Sequence, residues 1–376
     1  MRILILSQQL SAFRSGVGTY THSLITGLRD QGHHITAVVP AKESLELPGV
    51  TVIPLSQFRF DPTPGGWLSL GISFSRFLSK RGQDFDLAHF TDSREAWFIR
   101  KPFIPLTGMV NDSYAVDWAE TNFPRHLFED RTQRGLYYLF LRKIEQYTYP
   151  RLKALITNSD YTRRRLIDHY RIAPSKVRVI YIGLPVERHI SKIDLEGSPS
   201  LLFVGGNFHR KGLPLLIKAV SHLRFQYPHI CVHVVGRDRN ENRISALACR
   251  FGISRNIKFH GRQPHKKVLE MMAGASAFVM PSLTEGFGLV YLEAMRMGTP
   301  VVATSIGGAK EVFKNMKDVI FVDPQDEKGL HVAIKKIISR EETIPSLRQS
   351  VKVIAKHFTV ETMAKETVHF FESVLK

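Results

Sequence analysis

Cysteine is almost missing from this chain: Cys231 and Cys249 are the two in 376 residues. That excludes a disulfide framework and a zinc site built on thiolates, and it fits a reducing compartment. Long apolar runs are missing as well. The lipophilic stretch LYYLFL at 136–141 is far short of a bilayer span and runs into Arg142 and Lys143. The opening MRILILSQQL reads as a strand, since a signal peptide needs a longer apolar core and a small-residue cleavage site. A cytoplasmic location is therefore expected. Acidic residues are scarce, with 34 Asp and Glu against 52 Lys and Arg and a net charge of +18. Between Arg125 and Arg188 the imbalance is 14 against 6. Such a surplus is either a solvated basic face or a draw for polyanions: nucleic acid, sugar-nucleotide phosphates or anionic lipid head groups.

What is present is a two-part rhythm. The apolar runs RILILS (2–7), HITAVVP (34–40), VTVIPL (50–55), DLAHF (86–90), FIPLTGMV (103–110) and ALITNS (154–159) alternate with helix-like patterns. This alternation predicts a parallel sheet covered on both faces. The polar stretch PVERHISKIDLEGSPS (185–200) interrupts it. The rhythm then restarts with LLFVGG (201–206), CVHVVG (231–236), IKFHG (257–261), AFVMPS (277–282), PVVAT (300–304) and VIFVD (319–323). The expected architecture is α/β: two Rossmann-like, doubly wound domains over 1–188 and 200–357. A linker at 189–199 joins them, and a closing helix at 358–376 packs back on the first domain. Ligands of such sheets bind at the carboxyl ends of strands, so two such domains are expected to face a central cleft.

Three segments carry the chemistry. In SGVGTYTHSL (15–24), Gly16 and Gly18 let the backbone approach a ligand, and the helix expected from about Thr19 offers an anion its free N–H groups. The full GxGxxG fingerprint is absent, which disfavours hydride chemistry. In FVGGNFHRKG (203–212), Gly205 and Gly206 precede the adjacent cations Arg210 and Lys211. Cations over a glycine turn neutralise a diphosphate and stabilise it as a leaving group, with no metal required. The segment lacks GxxxxGK[ST], so it is not a P-loop. In PSLTEGFGLVYLEAMRMGTPVVAT (281–304), Glu285 stands at a strand's carboxyl end and Glu293 on the helix expected from about Leu289. Two separated carboxylates suit hydroxyl recognition, of a sugar and of a ribose, better than a shared proton.

GGNFHRKG followed by EGFGLVYLE resembles the retaining glycosyltransferases of family 4, with the GT-B fold and an EX7E region. More loosely, the first half resembles the bacterial polysaccharide mannosyltransferases among them. The resemblance implies roles residue by residue. Lys211, with Arg210 in place of an arginine that gives way here to Gly206, would hold the donor diphosphate. Glu285 would face the donor sugar and Glu293 the ribose. Phe287, Gly288 and Leu289 would offer backbone N–H groups, and Gly16 and Gly18 would face the phosphate and the acceptor. The base would sit near Arg237, Gly261 and Arg262. The resemblance further implies transfer of a hexose, mannose from GDP-mannose first and a UDP-sugar as the alternative. The acceptor would be a glycan or a lipid-linked glycan of cell-surface polysaccharide or lipopolysaccharide synthesis, with no cofactor and no metal.

One departure stands out. MVNDSYAV places Asn111 where the family often has histidine, followed by Asp112. An amide binds a hydroxyl but moves no proton; in a retaining reaction the departing phosphate can take it. DFD at 84–86 has the form of a metal-binding DxD but precedes its strand, at the wrong end for the cleft. His89 either faces the acceptor or packs. Trp67, Leu70, Phe74, Phe77 and Leu78 fall on one helical side, suited either to a core or to an anionic membrane surface. Two rival functions remain: a nucleotide-sugar epimerase of the same fold, and a nucleic-acid-binding protein using YTRRRLIDHYR (161–171). The second leaves the glycine loops without a purpose, and no nucleic acid is expected as partner.

Overall fold

The computed structural model describes residues 1–11, 15–56, 67–100, 102–113, 115–117, 131–185, 189–316, 318–339, 351, 353–354 and 356–376. The side chains of 67–68 and 131–136 lie outside this set, and so does the start of the basic stretch at Arg125. The described residues of Met1–Pro185 join His357–Lys376 in one compact unit, and those of Val186–Lys356 form a second.

The first unit is a parallel sheet of β1 (Arg2–Leu6), β2 (His34–Pro40), β3 (Val50–Leu55), β4 (Leu87–Phe90), β5 (Leu106–Val110), β6 (Ala154–Thr157) and β7 (Val177–Val179). Its spatial order is β3-β2-β1-β4-β5-β6-β7. The central strands are buried along their length, from Ile3 to Leu6 and from Leu106 to Val110. That is why they read as unbroken apolar runs. Its helices include α1 (Gly16–Asp30), α2 (Trp67–Arg81), α3 (Arg131–Thr148) and α4 (Asp160–Tyr170). Helix α1 starts at Gly16, before the expected Thr19, because Ser15 caps it by accepting from the Gly18 N–H at 3.1 Å.

Leu70, Phe74 and Leu78 of α2 are buried in the core beside Phe90 and Leu106, with Phe77 partly buried against it. This helical side is therefore packing surface and not a membrane-facing one. Among the described residues no helix is long and apolar enough to cross a membrane.

The second unit is a parallel sheet of β8 (Ser200–Val204), β9 (Cys231–Val235), β10 (Ile257–Gly261), β11 (Ala277–Met280), β12 (Val301–Thr304) and β13 (Val319–Val322). Its order is β10-β9-β8-β11-β12-β13. Around it lie α5 (Leu213–Leu223), α6 (Glu241–Arg250), α7 (His265–Gly274), α8 (Leu289–Arg296), α9 (Gly308–Phe313) and α10 (Glu327–Ile338). The order reverses between β8 and β11, whose carboxyl ends form the switch point at which such sheets bind ligands.

The last helix, α11 (Val360–Leu375), belongs to the first unit and lies on α1. Gly27 makes that approach possible: a Cβ there would come within 2.7 Å of the Ala364 methyl and 2.9 Å of Val360. The incoming chain is tied by the Leu184 N–H, which donates to the Phe358 carbonyl at 2.9 Å.

Candidate functional site

In the second unit, two loops leave adjacent strands and lock together. The loop after β8 is anchored by Phe208, fully buried against Phe203 and Phe259, whose N–H donates to Asp238 at 2.6 Å. Gly205 donates to the Val235 carbonyl at 2.9 Å. Gly212 ends the loop with φ +82 and opens α5; a Cβ there would collide with the Pro281 carbonyl. Only glycine fits both the left-handed backbone and the close approach. The loop after β11 returns the contact, with the Leu283 N–H donating to the Arg210 carbonyl at 2.8 Å. The Arg210 guanidinium also donates to the Thr284 carbonyl at 3.4 Å.

This locking sets Lys211 against Glu285. The Lys211 Nζ lies 2.5 Å from Glu285 Oε2, and Ser282 Oγ donates to the same oxygen at 3.4 Å. Both charged side chains are nearly buried, 13% and 10% exposed. Burial, aided by Arg210, pulls the Lys211 ammonium below its ordinary value, with Glu285 opposing. Burial works against the Glu285 charge, but Lys211 and Arg210 outweigh it and hold the carboxyl below the usual range. The Glu285 backbone is fixed too, since the Gly308 N–H donates to its carbonyl at 2.8 Å.

Glu293 faces inward from α8, whose start is set by Gly288 at φ +89 and by Tyr291, donating to the Met280 carbonyl at 2.6 Å. Its Oε1 lies 3.1 Å from His265 Nε2, on the first residue of α7. Phe287 is buried against Phe313, so what it can give a ligand is its backbone. Leu289 opens α8, at a position whose N–H has no carbonyl of the helix to donate to. Arg237 and Arg262 are exposed on the loops after β9 and β10. These loops touch each other, Gly236 donating to the Gly261 carbonyl at 2.8 Å. Gly206 keeps clear of the Arg237 carbonyl, 3.2 Å from where a Cβ would stand.

In the first unit, Gly18 sits where a Cβ would collide with the Ser11 carbonyl. Asn111 and Asp112 follow β5. The Asn111 amide donates to the Thr91 carbonyl at 2.8 Å, while the Asn158 amide donates to the Asn111 carbonyl at 2.8 Å. Asn111 thus ties the ends of β4, β5 and β6 together. Asp112 shares Arg94 with Asp92 and Glu145, at 3.4, 2.6 and 3.7 Å. Burial pushes the Glu145 carboxyl up to about 7 against the pull of Arg94. His89 is packed: fully buried, 3.0 Å from the Tyr20 hydroxyl and 2.9 Å from Thr107, with its pKa driven down by burial to about 3. Asp86 binds the Arg2 N–H at 2.7 Å and Asp84 pairs with Arg81 at 2.9 Å.

Sequence reasoning missed His265, Asp92, Arg94 and Glu145. Asp92 and Arg94 are near neighbours, but the partners that complete the clusters, Asp112, Glu145 and Glu293, are distant in the chain, and no local spacing marks them. A histidine at the start of a helix carries no signal until the neighbouring helix is in place.

Comparison with known proteins covers both halves. Residues 14–188 match the family model described as Glycosyltransferase Family 4, and residues 186–357 the one described as Glycosyl transferases group 1. The chain is 26% identical over 364 residues to a glycogen synthase of Mycobacterium tuberculosis strain CDC 1551 / Oshkosh, covering 90% of this chain and 86% of the relative. It is 24% identical over 419 residues to a D-inositol 3-phosphate glycosyltransferase of Corynebacterium jeikeium, covering 100% and 97%. Its fold is shared by a sucrose-phosphate synthase from Thermosynechococcus elongatus, with TM-score 0.81 at 19% identity, over 100% of this chain and 99% of that one. The Anabaena protein HepE, solved in complex with UDP-glucose, shares it with TM-score 0.73 at 19% identity, over 99% and 100%.

Proposed function

Because this chain is a glycosyltransferase of the group 1 type, with the GT-B fold and both halves matched, we propose that it moves a hexose from a nucleoside-diphosphate sugar to a glycan or lipid-linked acceptor, with retention and without a metal. The carrying observation is the buried Lys211–Glu285 pair at the switch point between β8 and β11. An incoming diphosphate takes Lys211 and Arg210, and Glu285 is then left to accept from the sugar hydroxyls. As the glycosidic bond breaks, these two cations stabilise charge on the departing phosphate. Retention fits a reaction in which that phosphate accepts the acceptor's proton on the same face. One N–H of the Asn111 amide is held by the Thr91 carbonyl, which fixes the amide plane and leaves its oxygen able to accept from an acceptor hydroxyl, with Asp112 beside it.

GDP-mannose is the donor we carry forward. A UDP-sugar is the second reading, favoured by the complex of HepE with UDP-glucose. The basic first unit suits an acceptor held at an anionic membrane surface on the cytoplasmic side.

The test is calorimetric titration with GDP and with UDP, both in EDTA, followed by transfer assays with the matching donor sugar. GDP binding supports the reading as stated, and UDP preference changes the donor and keeps the reaction. Binding of neither overturns it, and so does unchanged transfer by both Lys211→Ala and Glu285→Ala.

A further inference from the structure

We infer that His265 is a positioning residue for the ribose carboxylate: its ring fixes the plane of Glu293 and so lets the site select a ribonucleotide over a 2′-deoxynucleotide. The inference rests on the reading above, in which Glu293 receives the ribose.

The geometry is a hydrogen bond of 3.1 Å between His265 Nε2 and Glu293 Oε1, with the two side chains only 14% and 11% exposed. A carboxylate accepts and does not donate, so the His265 Nε2–H is the donor. Both ends are held from behind. On the histidine side, Gln263 donates to the His260 carbonyl at 2.6 Å and closes the turn between β10 and α7. Pro264 then stands at the N-cap position of α7, whose first residue is His265. On the glutamate side, α8 is pinned two residues earlier, where Tyr291 is fully buried and its hydroxyl binds Met280.

The chemistry needs such a constraint. The last torsion of a glutamate is broad and roughly two-fold, so backbone placement alone leaves the carboxylate plane undefined. Accepting two vicinal hydroxyls at once needs that plane fixed, with one oxygen presented to each. His265 takes one lone pair of Oε1 and sets the plane, and the remaining lone pairs face the diol. A preorganised acceptor loses less on binding and discriminates more sharply against a missing hydroxyl.

The experiment titrates the full chain with the nucleoside diphosphate it prefers and with the 2′-deoxy counterpart, for wild type, His265→Ala and His265→Gln. Thermal midpoints are recorded alongside. His265→Ala is expected to weaken the ribonucleotide roughly tenfold, the scale of one charge-assisted hydrogen bond, and to leave the 2′-deoxynucleotide within about twofold. The ribo-to-deoxy ratio thus collapses by about the same tenfold. Gln, which can offer an N–H at similar reach, restores most of it. Donor KM rises in the Ala variant while kcat at saturation holds within about twofold. An unchanged ratio in a folded His265→Ala that still binds nucleotide overturns the inference alone. Failure of wild type to bind either nucleotide overturns the donor reading and this inference with it.

Discussion

Lys211 and Glu285, 74 residues apart in the chain, meet at 2.5 Å and neutralise each other in the nearly buried floor of the second unit. Each has a place in the proposed reaction that the other occupies at rest. The donor must therefore part them, and its diphosphate supplies the charge that Lys211 loses. The pair keeps two buried charges compensated until then, since either one left alone would be expensive.

The first prediction follows from that coupling. Lys211→Met leaves Glu285 buried with only Arg210 to offset it and is expected to cost about 3 kcal/mol of stability. Adding Glu285→Gln to it should recover much of the loss. Transfer should fall at least about a hundredfold in all three variants. Urea denaturation of the two single variants and the double one gives the cycle; strict additivity would mean that the two side chains do not interact.

Gly212 gives the second. Its φ of +82 and its contact with the Pro281 carbonyl leave no room for a side chain. Gly212→Ala is expected to destabilise the second unit by about 2–4 kcal/mol, from left-handed strain plus the displaced carbonyl. Nucleotide affinity should fall as the two loops separate. Gly298 has nothing within 4 Å of a Cβ and a similar φ of +77, so Gly298→Ala isolates the strain alone and should cost about 1–2 kcal/mol.

pH dependence gives the third, with opposite signs for two carboxyls. Glu145, raised to about 7, holds its proton more tightly folded than unfolded. Its penalty is absent below the ordinary glutamate value, grows as pH rises towards 7, and is complete above. Glu145→Gln should therefore raise stability at pH 8, by up to about 3 kcal/mol, and change it little at pH 4. Glu285 is depressed, so its contribution is complete above the ordinary glutamate value and is lost as pH falls through the lower folded one. Chemical denaturation of wild type and of each Glu→Gln variant from pH 3.5 to 8 separates the two.

Arg94 gives the fourth. Its guanidinium holds Asp92 through Nε at 2.8 Å and Nη2 at 2.6 Å while reaching Asp112 and Glu145. Arg94→Met leaves three nearly buried carboxyls without that cation and should cost about 3–5 kcal/mol. Arg94→Lys should fail to rescue it, because an ammonium cannot serve Asp92 in the same two-point geometry. Recovery to wild-type thermal stability in the lysine variant would count against the two-point reading.

The sequence by itself determined the parts that depend on near neighbours. Buried parallel strands show as continuous apolar runs, so both sheets were legible. The glycine turns that open α1, α5 and α8 were legible as well, and with them the loops that carry Lys211 and Glu285. A histidine on β4 or an apolar stripe on α2 is ambiguous at that level: His89 reads equally as ligand or core, and Leu70, Phe74 and Leu78 equally as core or membrane face. Packing against Tyr20 and Thr107 in one case, and beside Phe90 in the other, decided both. The tertiary structure alone decided which charges meet. Lys211 reaches Glu285 because the strand order puts β8 beside β11, His265 reaches Glu293 because α7 lies beside α8, and Arg94, already beside Asp92 in the chain, also reaches Asp112 after β5 and Glu145 on α3. Adjacency of parallel strands is set by crossovers many residues long, and no short-range periodicity records it.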